Sequence, residues 1–311
     1  MRIVIAGGTG LIGKALSADL LNDDHEVVIL TRDLDKYQST RNIKYVQWDG
    51  KTVRDWVDSI EGADAVVNLA GESIAGESIL DLIKNRWTPQ RKLDLLNSRL
   101  NAGRAIVQAI EIAANKPKVL IQASAVGYYG DRGSEVLDEQ AGAGRDFLAN
   151  VCFQWEAVTA SVENLGVRRV IIRTAGMAMS TQGGTLPFLL LPFKLFAGGP
   201  IGSGKQWFSW IHIADEVGAI RFLIENPQAT GNFNLSAPQQ LTNREFSCII
   251  GRVMARPSFI PIPGFVFHLL LGELATILLG SQRQVPVRLL ELGYAFQFPQ
   301  AEAALRDLLK K

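Results

Sequence analysis

Cysteine is scarce in this 311-residue chain: only Cys152 and Cys248 occur, which excludes a disulfide framework and a Cys-rich metal site. Three histidines, His25, His212 and His268, are scattered with no partner at metal-ligand spacing, so no metal is expected. There is no run of Lys or Arg, and the formal net charge is +1. That balance argues against nucleic acid as the main partner. The opening MRIVIAGG lacks the charged and apolar regions of a signal peptide, which gives a cytoplasmic expectation. Long apolar runs are also missing. A membrane-spanning helix needs about 20 apolar residues; LPFLLLPFKLF (186–196) is broken by Pro187 and Pro192, and GFVFHLLLGELATILLG (264–280) carries His268 and Glu273. Both stretches read as buried core helices, with peripheral attachment to a membrane or a protein partner as the other reading.

What is present is an ordinary folded composition, 47% hydrophobic and 20% charged. Short apolar runs at 1–7, 25–31, 43–48, 63–71, 117–124 and 167–174 read as strands, several apolar on consecutive positions as buried parallel strands are. Helical patterns at 12–22, 52–60, 88–114 and 147–164 lie between them. The alternation predicts an α/β fold, a Rossmann-type doubly wound parallel sheet with a smaller C-terminal α+β capping domain. Residues 1–174 and 210–235 form the first unit of this reading, with 210–226 a strand followed by a helix; residues 175–209 and 236–311 form the second.

GGTGLIG (7–13) follows the first strand and opens a helix. In that context Gly7, Thr9, Gly10, Leu11, Ile12 and Gly13 read as a phosphate cradle: the glycines permit a tight turn, and the helix N-terminus offers free N–H groups to a pyrophosphate. The end of the second strand selects the cofactor. An acidic residue there serves the ribose hydroxyl of NAD, and an arginine accommodates the phosphate of NADP. The sequence VVILTRD places Thr31 and Arg32 at that point and Asp33 one step later, which favours NADP(H) and leaves Asp33 as a route to NAD. NLAG (68–71) closes the fourth strand at the carboxyl edge, bringing Leu69, Ala70 and Gly71 to the cofactor's middle. Asp49, in WDG, reads as an adenine contact or as a turn residue.

These motifs resemble the extended short-chain dehydrogenase/reductases, the superfamily of NAD(P)-dependent epimerases and dehydratases. GGTGLIG, NLAGESI, SRL in the long helix, SAVGYYG (124–130), GGPIGSGKQWFSWIHIADEV (198–217), FNLSAP (233–238) and RPSFIPIPGFVFHLLLGELA (256–275) resemble one atypical branch over essentially the whole chain. That branch is labelled epimerase-like and includes bacterial and plastid proteins labelled cell-division inhibitor, related to the giant-chloroplast protein. The resemblance implies NADP binding, with contacts on Thr31, Arg32, Leu69, Ala70 and Arg99. It brings no substrate.

A typical member of the superfamily carries a Ser or Thr at the end of the fifth strand, then a Tyr and, four residues later, a Lys. Ser124 matches the first. Cys152 and Glu156 stand at the spacing of the other two. A glutamate's charge disfavours any anion beside it, so Cys152 should be a poor acid or base, and both read as helix residues with Cys152 and Trp155 packed in the core. Tyr128 is then the freer proton-handling candidate, whereas Tyr129 before Gly130 reads as structural. Glu72, Trp155, Lys205, Gln206 and Trp207 are the candidate substrate contacts; the loop GSGKQWFSW (202–210) reads equally as a structural hairpin. Arg86, Trp87 and Arg91 could line the same entrance or pack on a partner. His212 and Asp215 sit in a strand-to-helix turn, with Asp215 read as the N-cap. Two functions follow: an NADP(H)-dependent oxidoreductase or epimerase-like enzyme using Ser124 and Tyr128, or a non-catalytic NADP(H)-binding protein acting through a partner in cell or plastid division. An open polar cavity beside Cys152, Trp155 and Glu156 would favour the enzyme.

Overall fold

The structure, a computed structural model, describes residues 1–74, 76 and 86–310. Seven strands form one all-parallel sheet: β1 (Arg2–Ala6), β2 (Glu26–Thr31), β3 (Ile43–Gln47), β4 (Ala65–Asn68), β5 (Val119–Ala125), β6 (Arg168–Thr174) and β7 (Gly231–Leu235). Their order is β3-β2-β1-β4-β5-β6-β7, the doubly wound arrangement that reverses direction between β1 and β4. Successive residues of one strand enter opposite cores. Ile3, Ile5, Val27 and Ile29 meet Leu16 and Leu20 of α1 (Leu11–Asn22) and Ile220 of α5 (Ile213–Glu225). Val4, Val28 and Val66 meet Ile106 and Ile110 of α2 (Pro89–Ile112). Burial on both faces is why these strands read as unbroken apolar runs.

Two expected helices are shorter than their patterns. Over 52–60 there is only a tight turn, Asp55–Ser59, which delivers Trp56 into the core with its indole N–H bonded to the carbonyl of Thr52 at 2.8 Å. Over 147–164, α3 (Phe147–Ala157) gives way to a 3-10 turn, Ala160–Leu165, closed by Gly166 at φ 77°. Residues 210–226 do form a strand and a helix. The strand, Trp210–His212, pairs with Met177–Met179 in a separate two-stranded sheet, so the chain rejoins the main sheet only at β7.

A third core lies beyond β6. Leu186, Leu190 and Phe193 of α4 (Leu186–Lys194) pack with Phe246 and Ile250 of α6 (Asn243–Met254) and Leu305 of α8 (Ala301–Leu308). The other Leu-rich stretch does not behave as a core helix. In α7 (Gly264–Leu271) only Leu271 is buried, while Phe265 is 70% and Leu269 71% exposed. A helix of two turns that is apolar all round can bury only the side that meets the protein. No helix among the described residues is long and apolar enough to cross a membrane.

The turn at 212–215 also differs from expectation. His212 is the N-cap of α5, its Nδ1 accepting from the Ala214 N–H at 3.0 Å. Asp215 is fully buried and accepts from the N–H groups of Gln297 and Phe298 at 2.7 and 2.9 Å. A carboxylate with two backbone donors from another segment holds that segment down and is unavailable as a cap.

Beside it, Glu216 is buried, accepts the Thr174 hydroxyl at 2.7 Å and has its other oxygen without a partner. Burial pushes this carboxyl up to about 8, against the lowering effect of the Thr174 bond. The folded state therefore holds a proton that the unfolded chain gives up at about 4.5. The neutral form's contribution is fully present below pH 4.5 and is lost as pH rises through 8. Chemical denaturation of Glu216→Gln, which keeps a neutral partner for Thr174, should give a stability advantage over the parent that grows by a few kcal/mol between pH 5 and pH 8.

Candidate functional site

The carboxyl ends of β1 and β4 frame the cleft. Gly7 has φ +79°, and a Cβ there would stand 2.7 Å from the Leu69 carbonyl carbon; only glycine lets the first turn lie against NLAG. At Gly13 a Cβ would meet Gly7 O and Gly8 Cα at 2.5 Å, so the turn also seats tightly on its own helix. Gly10 is the N-cap of α1 and supplies no side-chain bond to the first-turn N–H groups. Those donors and the positive end of a 12-residue helix make an anion site. Thr9, Leu11 and Ile12 are half-buried around it.

At the end of β2, Thr31 is buried and accepts from the Asp33 N–H at 3.3 Å. The Asp33 carboxylate is engaged by Lys36 Nζ at 2.8 Å. Arg32 is exposed, and among the described residues its guanidinium pairs with no carboxylate. The two oxygens of Asp49 are taken up inside their own turn by Lys51 N, Thr52 N and Thr52 Oγ1 at 2.7–2.8 Å, which lowers that carboxyl to about 2, the Thr52 bonds contributing most.

NLAG is positioned by a buried pair on neighbouring strands. Asn68 Nδ2 donates to Gln122 Oε1 at 2.9 Å, and Asn68 Oδ1 accepts from Ala70 N at 3.2 Å. Leu69 N donates to Ala6 O at 2.8 Å. A Cβ on Gly71 would lie 3.1 Å from the Arg99 guanidinium, so α2 delivers Arg99 directly onto this loop. Arg99 is buried, donates to the carbonyls of Leu95 and Glu72 at 2.9 and 3.1 Å, and lies 4.8 Å from the Trp155 ring. Burial draws its pKa down. The Trp155 indole N–H is buried without an acceptor among the described residues.

The residues at the Tyr and Lys spacing have a different use. Glu156 is buried and forms a two-pronged ion pair with Arg173 at the end of β6, Nε to Oε1 at 2.8 Å and Nη2 to Oε2 at 2.9 Å. Ser124 donates its hydroxyl to the same carboxylate at 2.6 Å. Arg173 Nη1 reaches the Tyr129 hydroxyl at 3.1 Å, which donates to Asn234 Oδ1 at 2.7 Å. Although burial alone would lower it, the Glu156 bond raises the Arg173 pKa, so the guanidinium stays charged. Cys152 is sealed in the core and its thiol is pushed up to about 12. Burial is the main cause, with the Glu156 charge a smaller one; sequence reasoning had assigned the whole effect to Glu156. Tyr129 is structural, with burial raising its phenol to about 12. Tyr128 is half-buried, its ring face 3.5 Å from the Arg173 guanidinium.

A cavity of about 610 Å³ opens beside Gly71, Glu72, Arg99 and Gly176 and runs between α4, α6 and α7. Glu72 stands at its mouth, paired with Arg91, and Arg86 donates to the Leu270 carbonyl at 2.9 Å. The other expected contacts are elsewhere. Gln206 is buried, donating to the carbonyls of Ile201 and Leu278 at 3.0 and 3.3 Å. Lys205 is exposed, and Trp207 lies under Arg283 at 4.2 Å. Residues 205–207 thus join segments of the second lobe and do not line the cavity, and neither do Ser124, Tyr128 or Trp155. The open polar volume expected beside Cys152, Trp155 and Glu156 is not found there: all three are buried, and the cavity that exists has other, mostly apolar walls. Two features escaped sequence reasoning. Arg173 carried a signal, a charge inside the apolar run VRRVIIRT. The cavity carried none, because its walls come from separated segments.

A family model described as NAD dependent epimerase/dehydratase matches residues 3–236, and one described as a domain of unknown function (DUF1731) matches residues 262–308. The epimerase family protein SDR39U1 homolog, chloroplastic, of Arabidopsis thaliana is 38% identical over 315 residues, covering 100% of this chain and 87% of that protein. The epimerase family protein YfhF of Bacillus subtilis is 36% identical, covering 99% and 98%. Among solved structures, human epimerase family protein SDR39U1 (isoform 2) with NADPH superposes with a TM-score of 0.88 at 33% identity over 100% of both chains. UDP-N-acetylglucosamine 4-epimerase from Bacillus cereus, at 16% identity and TM-score 0.72 over 99% of this chain and 95% of that one, shares the fold.

The ion pair gives a direct test. Glu156→Gln leaves the Arg173 guanidinium buried without its counter-charge, which should cost about 3–5 kcal/mol in urea denaturation. The double variant Glu156→Leu, Arg173→Met, which removes both charges, should recover most of that loss.

Proposed function

The chain belongs to the NAD dependent epimerase/dehydratase family, and on that premise we propose that it is an NADP(H)-dependent, epimerase-like oxidoreductase that works without the Tyr–Lys pair. The reading rests above all on the end of β2, where Arg32 is uncommitted among the described residues while Asp33 is held by Lys36. A guanidinium there matches a phosphate. The relative solved with NADPH, similar over its full length, supports the same cofactor.

In this reading Gly7, Thr9, Gly10, Leu11, Ile12 and Gly13 hold the pyrophosphate, Thr31 and Arg32 the adenosine end, and Leu69, Ala70, Gly71 and Arg99 the middle. When bound, the reduced dinucleotide supplies a hydride. The chain's own part is to bind, to orient and to handle a proton. Tyr128 is the proposed proton-handling residue, because Tyr129 is committed to Asn234 and Arg173. Ser124, committed to Glu156, holds the turn that carries Tyr128. A proton donor without its tuned lysine is expected to forgo part of the 10²–10⁴-fold that general acid–base catalysis supplies, so turnover should be slow.

A second reading, a protein that binds NADP(H) and acts through a partner in cell or plastid division, draws on the same commitment of Ser124 and on the sealed Cys152. The cavity beside Gly71, Arg99 and Gly176 gives a small molecule room beside the cofactor cleft and supports the enzyme, whereas the burial of Cys152, Trp155 and Glu156 supports the second reading.

Calorimetry on the parent and Arg32→Ala tests the cofactor assignment. Losing a charged phosphate contact costs about 1.5–3 kcal/mol, so NADPH affinity should fall roughly 10- to 150-fold while NADH affinity stays within about twofold. Equal losses for both cofactors would remove the case for NADP.

A further inference from the structure

The cavity differs in chemistry from end to end. Among the described residues its charged side chains are Glu72 and Arg99, which stand at the cofactor end, beside the loops that leave β4 and β6. Deeper in, the walls are Phe188, Leu189, Phe246, Ile250, Leu274 and Ile277. Two polar side chains there, Asn243 and Ser247, meet the backbone of the 199–201 segment. Asn243 Oδ1 accepts from the Ile201 N–H at 2.7 Å, and the Ser247 hydroxyl lies 3.4 Å from the Gly199 carbonyl oxygen.

Among the described residues this wall offers little to the ligand that the word epimerase suggests. A sugar nucleotide brings a diphosphate and a ring of hydroxyls, and each such group costs free energy when buried unless a donor or counter-charge meets it. Among the described residues Arg99 is the only cation lining the cavity, and the cofactor reading already gives it a role. The outer wall is apolar on both sides. Leu270 lines the cavity and is 46% exposed, and Phe265 and Leu269 of the same helix face outward, so an apolar path leads in from the surface.

We infer that this cavity binds a largely hydrocarbon ligand with one small polar end, its polar end at Gly71, Arg99 and Gly176 and its chain among Phe188, Phe246 and Ile250. The volume, about 610 Å³, lies within the range of small-molecule sites. The inference rests on the proposed cofactor cleft for the placing of the polar end, and on the cavity alone for the class of ligand.

The test is a calorimetric titration of the full chain, saturated with NADPH, against 2-undecanone and against UDP-glucose. Expected are saturable binding of 2-undecanone, no binding of UDP-glucose, and at least a tenfold loss of 2-undecanone affinity in Ile250→Trp, which fills the cavity, with NADPH affinity within twofold of the parent. Should Ile250→Trp not fold, Leu189→Trp, at a half-buried position on α4, narrows the same space and carries the same expectation. Binding of UDP-glucose, absence of 2-undecanone binding, or binding that neither tryptophan weakens would overturn the inference while leaving the cofactor assignment intact. Failure to bind NADPH at all would instead strike the proposed function, and the same titration without cofactor would then decide the ligand class.

Discussion

The buried pair between Arg173 and Glu156 holds the site half of the molecule together. It fastens α3 to β6, and through Ser124 it reaches the end of β5. Through Tyr129 and Asn234 it reaches β7, where Gln284 closes the circuit by donating to both the Arg173 carbonyl and Asn234. Such a pair adds little net stability compared with an apolar replacement, because desolvating two charges offsets their attraction. Its geometry joins particular surfaces of α3 and β6, because separating them would leave a charge buried without its partner. That is how a helix that lacks the proton-relay residues of its superfamily still docks in one orientation.

The consequence for chemistry is a division between the two halves of the cleft. The phosphate end is built from backbone: N–H groups at an uncapped helix terminus and glycines without the Cβ that would collide with Leu69 or Gly7. Its specificity is for charge and shape. The far end is built from side chains of α4, α6 and α7, which among the described residues are mostly apolar. In the proposed reading a dinucleotide takes the first end and a largely hydrocarbon ligand the second, which would separate cofactor and substrate classes within one site.

Much of this was legible in the residues. GGTGLIG, NLAG and the alternation of apolar runs with helical patterns gave the doubly wound sheet and the cradle, because those features depend on contacts within a few positions of one another. Glu156 reads as an obstacle to any nearby anion because its partner lies 17 residues away on β6. Asp215 read as a cap because it lies near a helix start, yet its partners, Gln297 and Phe298, come from the far end of the chain. Gln206 read as a ligand contact among glycines, and it instead satisfies the carbonyls of Ile201 and Leu278.

By itself, then, the sequence determined the sheet, the glycine turn and the arginine at the end of β2, all set by local sterics, periodicity and helix-terminus electrostatics. Only the tertiary structure decided which charges neutralise each other and where space remains. Long-range pairing brought Arg173 to Glu156, and the packing of α4, α6 and α7 left an apolar volume beside Arg99. Charge compensation and empty space both depend on what comes near from distant positions, and no local pattern of residue types encodes that.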